Sequence, residues 1–366
     1  MPETRVGVIG CGNIAPIYLK APRSFPSLRV VACADVVIER ARARAEEFGV
    51  PRACTPEELL AAPDVDVVVN LTIPAAHADI ARQALEAGKH AYNEKPAAVK
   101  LEDGQALLAL AKQKGLRFGG APDTFLGAGL QTCRALIDAG AIGEPVAATA
   151  FMLSHGPEAW HPDPHFFFQP GAGPLFDMGP YYLTAMVNLL GPVARTTSFA
   201  RASFAERVVG SGPKAGEKIP VNTPTHITAA LEFAAGPTAT LVTSFDVWHG
   251  EVPRIEIYGS EGTLSVPDPN TFGGPVRIRR AGQAAWEEVP VTRPFSENSR
   301  GIGVAEMGFA IRAGRPARAS GDLTVHVLEV MHGILSAAST SSVVTIESRP
   351  ARPAALPEGD DESILH

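Results

Sequence analysis

The sequence predicts a two-domain α/β protein: a doubly wound parallel sheet, then an α+β domain with a large, mostly antiparallel open sheet. Its 366 residues exceed what one hydrophobic core usually serves. Short apolar runs alternate with helical segments over roughly the first 120 residues, which is typical of a parallel sheet covered by helices. After Pro122 the runs become longer and β-rich, which favours antiparallel strands joined by hairpins.

The parallel half is predicted from five apolar strands separated by helices. The strands read RVGVIG, LRVVACAD, VDVVVNLTI, HAYNE and LRFGGAP. The helices read NIAPIYLKA, VIERARARAEEFG, PEELLAA, AAHADIARQALEAGK and LEDGQALLALAKQKG. Pro16 and Pro22 should make the first helix short or irregular, and Gly49 suits the C-terminal end of the second.

The second half begins with a helix, and further helices are predicted at LFDMGPYYLTAMVNLLG, VAEMGFAIRAG and DLTVHVLEVMHGILSAAST. Its β-rich runs are PVAATAFMLSH, ARTTSFARASFAERVV, THITAALEFAAGPTATLVTSFDV, RIEIYGSEGTLSV and PVRIRR, with a hairpin turn expected at AAGPT. We expect domains at residues 1–123 and 124–350, followed by a Pro-rich, acidic tail at residues 351–366 that is extended or disordered.

Composition argues against several classes of function. The net charge of −7, without a basic stripe, argues against nucleic-acid binding. The apolar segments are too short to span a bilayer, and the N-terminus lacks the pattern of a secretory signal. The four cysteines show neither C-x-x-C spacing nor zinc-ligand spacing to histidines, so we expect reduced thiols, a cytoplasmic location and no metal site.

A glycine-rich turn follows the first strand. Gly10 and Gly12 begin a G-x-G-x-x-A motif that continues through Asn13 and Ile14 to Ala15. Glycines here let the backbone turn tightly and approach a pyrophosphate, while the following helix N-terminus supplies N–H donors. The motif predicts a dinucleotide site in which these residues bind the cofactor; the alternative is an unoccupied turn.

An acidic residue, Asp35, ends the second strand at about the spacing at which an acid binds the adenosine ribose. A carboxylate accepts from a free 2′-hydroxyl and repels a 2′-phosphate, so NAD is the predicted cofactor, with NADP possible. The nearby Arg40 could instead reach a phosphate, although a solvated helix residue is the simpler interpretation. The alternative for Asp35 is a helix cap.

Two further segments end strands at the same predicted edge of the sheet, where ligands bind in open α/β sheets. Thr72, Ile73, Pro74 and His77 follow the third strand and are predicted to contact the cofactor. His77 has an equally good alternative, as a helix N-terminal residue that contacts backbone.

The second of these segments carries Lys95, just past the fourth strand, between Glu94 and Pro96. Pro96 disfavours the helical region for the lysine. A lysine beside a nicotinamide can orient a substrate hydroxyl and shift its proton, and Glu94 can tune or position the ammonium. Glu94 and Lys95 are also predicted to contact the cofactor.

Three motifs together resemble those of the Gfo/Idh/MocA oxidoreductases: the G-x-G-x-x-A turn, the segment TIPAAHADIARQALEAGKHAYNEKP and the later GAGPLFDMGPYY. The resemblance covers nearly the whole chain. The resemblance implies a Rossmann domain, a second domain with an open sheet, and oxidation or reduction of sugars, inositols and related polyols with a nicotinamide cofactor. It also implies a homodimer or homotetramer formed through that sheet.

The resemblance further implies that Lys95 is catalytic and that Asp177 belongs to a second site motif, Asp-x-Gly-x-His. This chain has Tyr181 at the histidine position, which is a departure from the pattern. Tyr181 could act in a proton relay with Lys95; alternatively His161 or His165 takes that role, or Tyr181 only packs and the usual reaction is lost.

The remaining substrate-binding candidates lie at two places. Asp123 follows the fifth strand, where many relatives have Asn or Arg; it either contacts substrate or caps the next helix. The loop WHPDPHFFFQPG offers Trp160 and three phenylalanines as an apolar wall for a sugar ring, with His161 and His165 as polar contacts. The alternative is that the phenylalanines pack the loop on the sheet.

We therefore expect an NAD(P)-dependent dehydrogenase of a sugar or cyclic polyol. A ring hydroxyl would lose its proton to a Lys95–Tyr181 relay, with Asp177 orienting the substrate. Two alternatives remain open: an enzyme that processes glycosides with tightly bound NAD by oxidation, elimination and reduction, and a cofactor-binding sensor without turnover.

Overall fold

The computed structural model describes residues 3–366. They form two compact units. The first contains residues up to Ala128 together with Arg293–Leu328 and Pro353–His366, and the second contains Gly129–Thr292 and Glu329–Arg352.

Strands and helices alternate in the first third of the chain, and strands dominate the middle. The strands, in chain order, are β1 (Thr4–Ile9), β2 (Leu28–Ala34), β3 (Ala53–Cys54), β4 (Val67–Asn70), β5 (His90–Asn93), β6 (Phe118–Gly120), β7 (Pro145–Leu153), β8 (Val193–Arg201), β9 (Glu206–Val208), β10 (Lys218–Pro220), β11 (His226–Phe233), β12 (Thr238–Ser244), β13 (Ile255–Gly259), β14 (Gly262–Val266), β15 (Val276–Arg280), β16 (Glu287–Val289) and β17 (Val344–Thr345). The α-helices are α1 (Ala15–Leu19), α2 (Ile38–Phe48), α3 (Pro56–Ala61), α4 (Pro74–Glu86), α5 (Leu101–Lys114), α6 (Ala128–Asp138), α7 (Gly173–Asp177), α8 (Gly179–Leu190), α9 (Ile302–Ala313) and α10 (Gly321–Thr340).

The first unit is built on a parallel sheet with strand order β3-β2-β1-β4-β5-β6, so the predicted doubly wound sheet is confirmed. Strand β4 is buried along its whole length, as expected for a strand covered on both faces. All five predicted strands are present, and β3 is an additional short strand beside β2.

The helices of this unit begin and end where proline and glycine allow. Helix α1 is only five residues long, with Pro16 in its first turn, which confirms the expected short helix. Helix α2 ends at Gly49, whose φ of 69° is the left-handed conformation that glycine adopts without strain.

The second unit contains a nine-stranded sheet with order β16-β15-β14-β13-β7-β12-β11-β8-β17. Every neighbouring pair is antiparallel except β7 and β12, so the predicted mostly antiparallel sheet is confirmed. The predicted hairpin joins β11 to β12 through Gly236, whose φ is 109°. Strands β9 and β10 form a separate two-stranded sheet.

The C-terminal segments contribute to both units, with Arg293–Leu328 and Pro353–His366 in the first and Glu329–Arg352 in the second, and the domain boundaries at 123 and 350 stay predictions. Residues of α9 join the first unit because Gly301 and Gly303 donate backbone N–H bonds to the Asp123 carboxylate. In the tail, Leu365 is buried, and Arg318 donates to the carbonyl oxygens of Ala354 and Leu365 at 3.0 and 3.4 Å. Across the described residues, no helix combines the length and apolar character that crossing a membrane requires.

Candidate active site

In the glycine-rich turn, the backbone at Gly10 packs closely against the residues that follow β4. Gly10 has a φ of 104°, and a Cβ there would lie 2.6 Å from the carbonyl carbon of Leu71. Its N–H donates to the carbonyl oxygen of Ala34 at 2.8 Å. At Gly12 a Cβ would meet no described atom within 4 Å, so the turn faces open space there. Asn13 and Ile14 lie in the turn ahead of α1. This arrangement fits a bound pyrophosphate.

Asp35 is buried at the end of β2, and both of its carboxylate oxygens accept backbone hydrogen bonds. Oδ2 accepts from the N–H of Cys11 and Oδ1 from the N–H of Val37, each at 2.9 Å. The carboxylate therefore holds the glycine-rich turn against β2, a role that the sequence did not indicate. Each oxygen keeps a second lone pair, so the ribose contact remains chemically open and stays a prediction. Arg40 lies exposed on α2.

His77 lies in the first turn of α4 and is 1% exposed. Its Nδ1 is 2.7 Å from the carbonyl oxygen of Pro96, and its Nε2 is 3.1 Å from that of Thr72. Burial lowers the pKa of His77, which favours the neutral ring. The structure thus supports the backbone-contact alternative, while direct cofactor contacts by His77, Thr72, Ile73 and Pro74 stay predictions.

Two buried asparagines at the ends of β4 and β5 complete this region, and sequence reasoning missed both. The Nδ2 of Asn70 donates to Asn93 Oδ1 at 3.1 Å and to the carbonyl oxygen of His77 at 3.0 Å. The Nδ2 of Asn93 donates to the same carbonyl oxygen at 3.2 Å and to that of Ala97 at 2.9 Å. Asn70 Oδ1 accepts from the Thr72 hydroxyl at 2.7 Å. The only advance signal was the position of both residues at strand ends.

Lys95 lies just beyond β5, after the buried Glu94, and the Lys95–Pro96 peptide is cis. Glu94 Oε2 accepts the backbone N–H of Lys95 at 2.9 Å, and Oε1 accepts the Tyr18 hydroxyl at 2.8 Å. Glu94 therefore positions the lysine backbone, and its influence on the ammonium stays a prediction. Tyr18, on α1, was not among the residues that the sequence suggested.

Asp123 is 1% exposed, and its Oδ2 accepts the N–H groups of Gly301 and Gly303 at 3.0 and 3.1 Å. It therefore caps α9, which is remote in sequence, rather than the helix that follows it. Burial raises the pKa of Asp123 to about 6. Its contact with substrate stays a prediction.

In the second unit, Asp177 ends α7 and Tyr181 lies in the first turn of α8. Pro180 is accommodated in that first turn, where a helix does not need the missing N–H. Tyr181 is buried and Asp177 is half-buried. Two helices meet where a single one was predicted, and the proposed roles of both side chains stay predictions.

The aromatic loop is divided between packing and exposure. Phe167 and Phe168 are buried, so the packing alternative holds for them. Trp160 is 68% exposed, and the His161 ring lies 5.1 Å from the Phe167 ring. His165 lies 3.2 Å from a carboxylate oxygen of Asp163. Trp160 is thus exposed and both histidines are half-buried, and their contacts with substrate stay predictions.

A buried arginine, Arg207 on β9, anchors this loop and was also missed. Its guanidinium donates to Glu158 and Asp246, each at 2.8 Å, and to the carbonyl oxygen of Phe245 at 2.9 Å. It also donates to the carbonyl oxygen of His155. A planar guanidinium with several N–H donors can bond several acceptors at once, and here Arg207 ties the loop to the ends of β7 and β12.

The four cysteines are buried with free thiols. Among residues 3–366, no group of three or more His, Cys, Asp or Glu side chains is arranged to hold a metal ion.

A parallel sheet with a glycine-rich turn after its first strand and an acid after its second is the arrangement of a dinucleotide-binding fold. The chain belongs to the Gfo/Idh/MocA family: the family model for the NAD-binding Rossmann fold matches residues 4–120, and that for the C-terminal domain matches residues 130–265. The first unit is accordingly an NAD-binding Rossmann domain, and the predicted class of enzyme and cofactor are confirmed.

Curated relatives act on carbohydrates according to their names. The chain is 31% identical over 270 residues to dTDP-3,4-didehydro-2,6-dideoxy-alpha-D-glucose 3-reductase of Streptomyces violaceoruber, covering 72% of each protein. It is 26% identical to 1,5-anhydro-D-fructose reductase of Ensifer adhaerens, covering 94% of this chain and 99% of that protein. It is 27% identical to inositol 2-dehydrogenase of Rhizobium meliloti (strain 1021), covering 78% and 81%.

Solved structures share the fold. Levoglucosan dehydrogenase in complex with NADH and L-sorbose superposes with a TM-score of 0.81 at 23% identity, covering 95% of this chain and all of that one.

Proposed function

We propose that this protein is an NAD-dependent dehydrogenase of a sugar, an inositol or a related cyclic polyol. The observation that carries the proposal is Lys95, placed just beyond β5 at the carboxyl edge of a dinucleotide-binding sheet. The names of the relatives, which include sugar reductases and an inositol dehydrogenase, support this substrate class.

In the proposed reaction a substrate hydroxyl loses its proton while the carbon that bears it is oxidised to a carbonyl. Bound NAD supplies the hydride acceptor. Lys95 orients the hydroxyl and takes part in moving its proton. Its backbone N–H is held by the Glu94 carboxylate, which helps to position the side-chain ammonium. The reverse direction uses the same groups.

Tyr181 is the proposed partner of Lys95 in proton transfer, and Asp177 is proposed to orient the substrate. The support is the match of Asp177 and Gly179 to the family's second motif, with tyrosine at the histidine position. A phenol can carry the proton that a histidine carries in relatives. Trp160, His161 and His165 are proposed to border the substrate, as is Asp123 from its place after β6.

We also propose a cofactor preference, an oligomeric state and a cellular location. NAD should be preferred over NADP because Asp35 directly follows β2, a position from which a carboxylate can accept from the ribose hydroxyls and repel a 2′-phosphate. A homodimer or homotetramer is proposed from the family resemblance. The four free thiols favour a cytoplasmic location.

The experiment is a panel of sugars, inositols and glycosides, incubated with NAD and with NADP and followed by NADH or NADPH absorbance. Steady production of NADH with a sugar or polyol supports the dehydrogenase. Glycoside cleavage without net NADH would identify the oxidise–eliminate–reduce alternative. Binding of NAD without turnover on any substrate would favour a sensor, the candidate that the replacement of histidine by Tyr181 suggests.

A further inference from the structure

One side chain lies between two loops at neighbouring strand ends. The loop after β4 contains Thr72, and the loop after β5 contains Lys95 and Pro96. His77 lies in the helix that follows the first loop, and its two ring nitrogens face the carbonyl oxygens of Thr72 and Pro96. The ring can therefore hold one of these loops by donating a hydrogen bond.

The neutral His77 ring can donate to only one of its two carbonyl neighbours, and the distances favour Pro96. A neutral imidazole donates through only one nitrogen. We assign the proton to Nδ1, because its 2.7 Å contact with Pro96 is shorter than the 3.1 Å contact of Nε2 with Thr72. The ring therefore donates to the residue directly after Lys95.

His77 is held in place by hydrogen bonds to its backbone carbonyl oxygen. Asn70 and Asn93 both donate side-chain N–H groups to the His77 carbonyl oxygen, at 3.0 and 3.2 Å. Since both asparagines are buried, this anchor is protected from water. His77 thus starts from a fixed position on α4 and transmits that position to Pro96.

The Lys95 backbone is consequently held on both sides. On its N-terminal side, Glu94 accepts the Lys95 N–H at 2.9 Å. On its C-terminal side, His77 holds the Pro96 carbonyl oxygen. We propose that His77 is a positioning residue for Lys95, which fixes the lysine backbone relative to helix α4 and does not itself contact the reacting atoms. The catalytic consequence rests on the function proposed above for Lys95.

The consequence is a selective loss of rate. Without the His77 donor, the buried Pro96 oxygen lacks its partner and the Lys95 backbone can shift. A displacement of about 1 Å in a catalytic group can lower the rate by about 10²-fold. The sites predicted for the pyrophosphate at the glycine-rich turn and for the ribose at Asp35 are untouched.

The test compares His77→Leu with His77→Gln, which retains an N–H donor at similar reach. The matched control is His90→Leu, at the opposite end of β5, where Nδ1 accepts the Arg117 N–H at 2.8 Å. For each variant we would measure kcat and KM on the most active sugar or polyol of the panel. NAD affinity would be measured by calorimetry, together with the melting temperature and hydrogen exchange of the peptide covering residues 94–98.

We expect His77→Leu to lower kcat by about 10²-fold with unchanged NAD affinity, and to speed exchange in residues 94–98. His77→Gln should recover most of the rate, and His90→Leu should keep wild-type kcat whatever its melting temperature. Weakened NAD binding in both His77 variants would overturn the proposal in favour of a cofactor contact. Wild-type kcat and exchange in His77→Leu would also overturn it.

Failure of the proposed function would look different. If Lys95→Ala retained wild-type turnover, the catalytic role of Lys95 would be lost, whereas faster exchange in residues 94–98 of His77→Leu would still support the positioning contact. If His77→Leu does not fold, His77→Gln decides: its exchange and kcat must then lie close to wild type.

Discussion

The buried Asp123 carboxyl, which caps α9, should make the stability of the protein fall as the pH rises from about 4 to about 6. Burial is the main reason that the pKa of Asp123 is raised from 3.8 to about 6. The folded protein therefore holds this proton at pH values where the unfolded chain has lost it. The contribution of Asp123 to the free energy of unfolding is largest below about pH 4, falls as the pH rises to about 6, and is then constant. A shift of this size corresponds to about 3 kcal/mol.

Asp123→Asn should remove this dependence and keep the cap. Both N–H donors, from Gly301 and Gly303, bond the same carboxylate oxygen, so a single amide oxygen can accept both. We expect the variant to match the wild type at about pH 4 and to become more stable towards pH 7, by up to about 3 kcal/mol. Urea denaturation between pH 4 and 8 measures the difference at each pH.

Asp123→Leu is the matched control, because it keeps a side chain of similar size without an acceptor. It leaves two buried N–H groups unpaired, and should be less stable than Asp123→Asn by about 1–3 kcal/mol for each group at every pH. The reasoning is refuted if the difference between Asp123→Asn and wild type is independent of pH, or if the variant gains stability towards low pH. A changed substrate KM in Asp123→Asn would support its predicted substrate contact.

Three further predictions test the cofactor and substrate assignments. Asp35→Ala should weaken NAD binding and reduce the preference for NAD over NADP, because it removes both the predicted ribose contact and the anchor of the glycine-rich turn. Calorimetry measures both affinities. Tighter binding of NADP than NAD by the wild-type protein would contradict the role of Asp35. His161→Ala or His165→Ala should change substrate KM or kcat without changing NAD affinity, and wild-type kinetics in both would make the loop purely structural. Tyr181→Phe should lower kcat by about 10²–10⁴-fold, and its effect should not add to that of Lys95→Ala. A normal kcat in Tyr181→Phe would move the search for the proton partner to His161 and His165.

Local patterns were sufficient for the elements that position the cofactor. Apolar β-branched runs identified the five main strands, and Pro16 correctly indicated a short first helix. Strand β3 was missed because two residues are too few to show a period. The junction of α7 and α8 was missed because both segments have helical composition, and only the backbone separates them.

Contacts between distant parts of the chain could not be read from the sequence. Asp123 had a convincing local role as a cap for the next helix, yet its partners are Gly301 and Gly303, 178 and 180 residues away. Arg207 looked like an ordinary strand residue, although it is buried between carboxylates of Glu158 and Asp246. Such pairings depend on tertiary packing, which local propensity and periodicity do not encode.

The central claim is that Lys95 performs chemistry at the cofactor edge of the sheet. The most direct measurement is kcat of Lys95→Ala on the panel's best substrate, with NAD affinity and melting temperature measured on the same preparation. Lys100→Ala, an exposed lysine in the same segment, is the matched control. We predict a loss of about 10²–10⁴-fold in kcat for Lys95→Ala, with NAD binding and fold retained. Lys95→Arg should also fail, because arginine stays protonated. A near-normal kcat in Lys95→Ala would contradict the account.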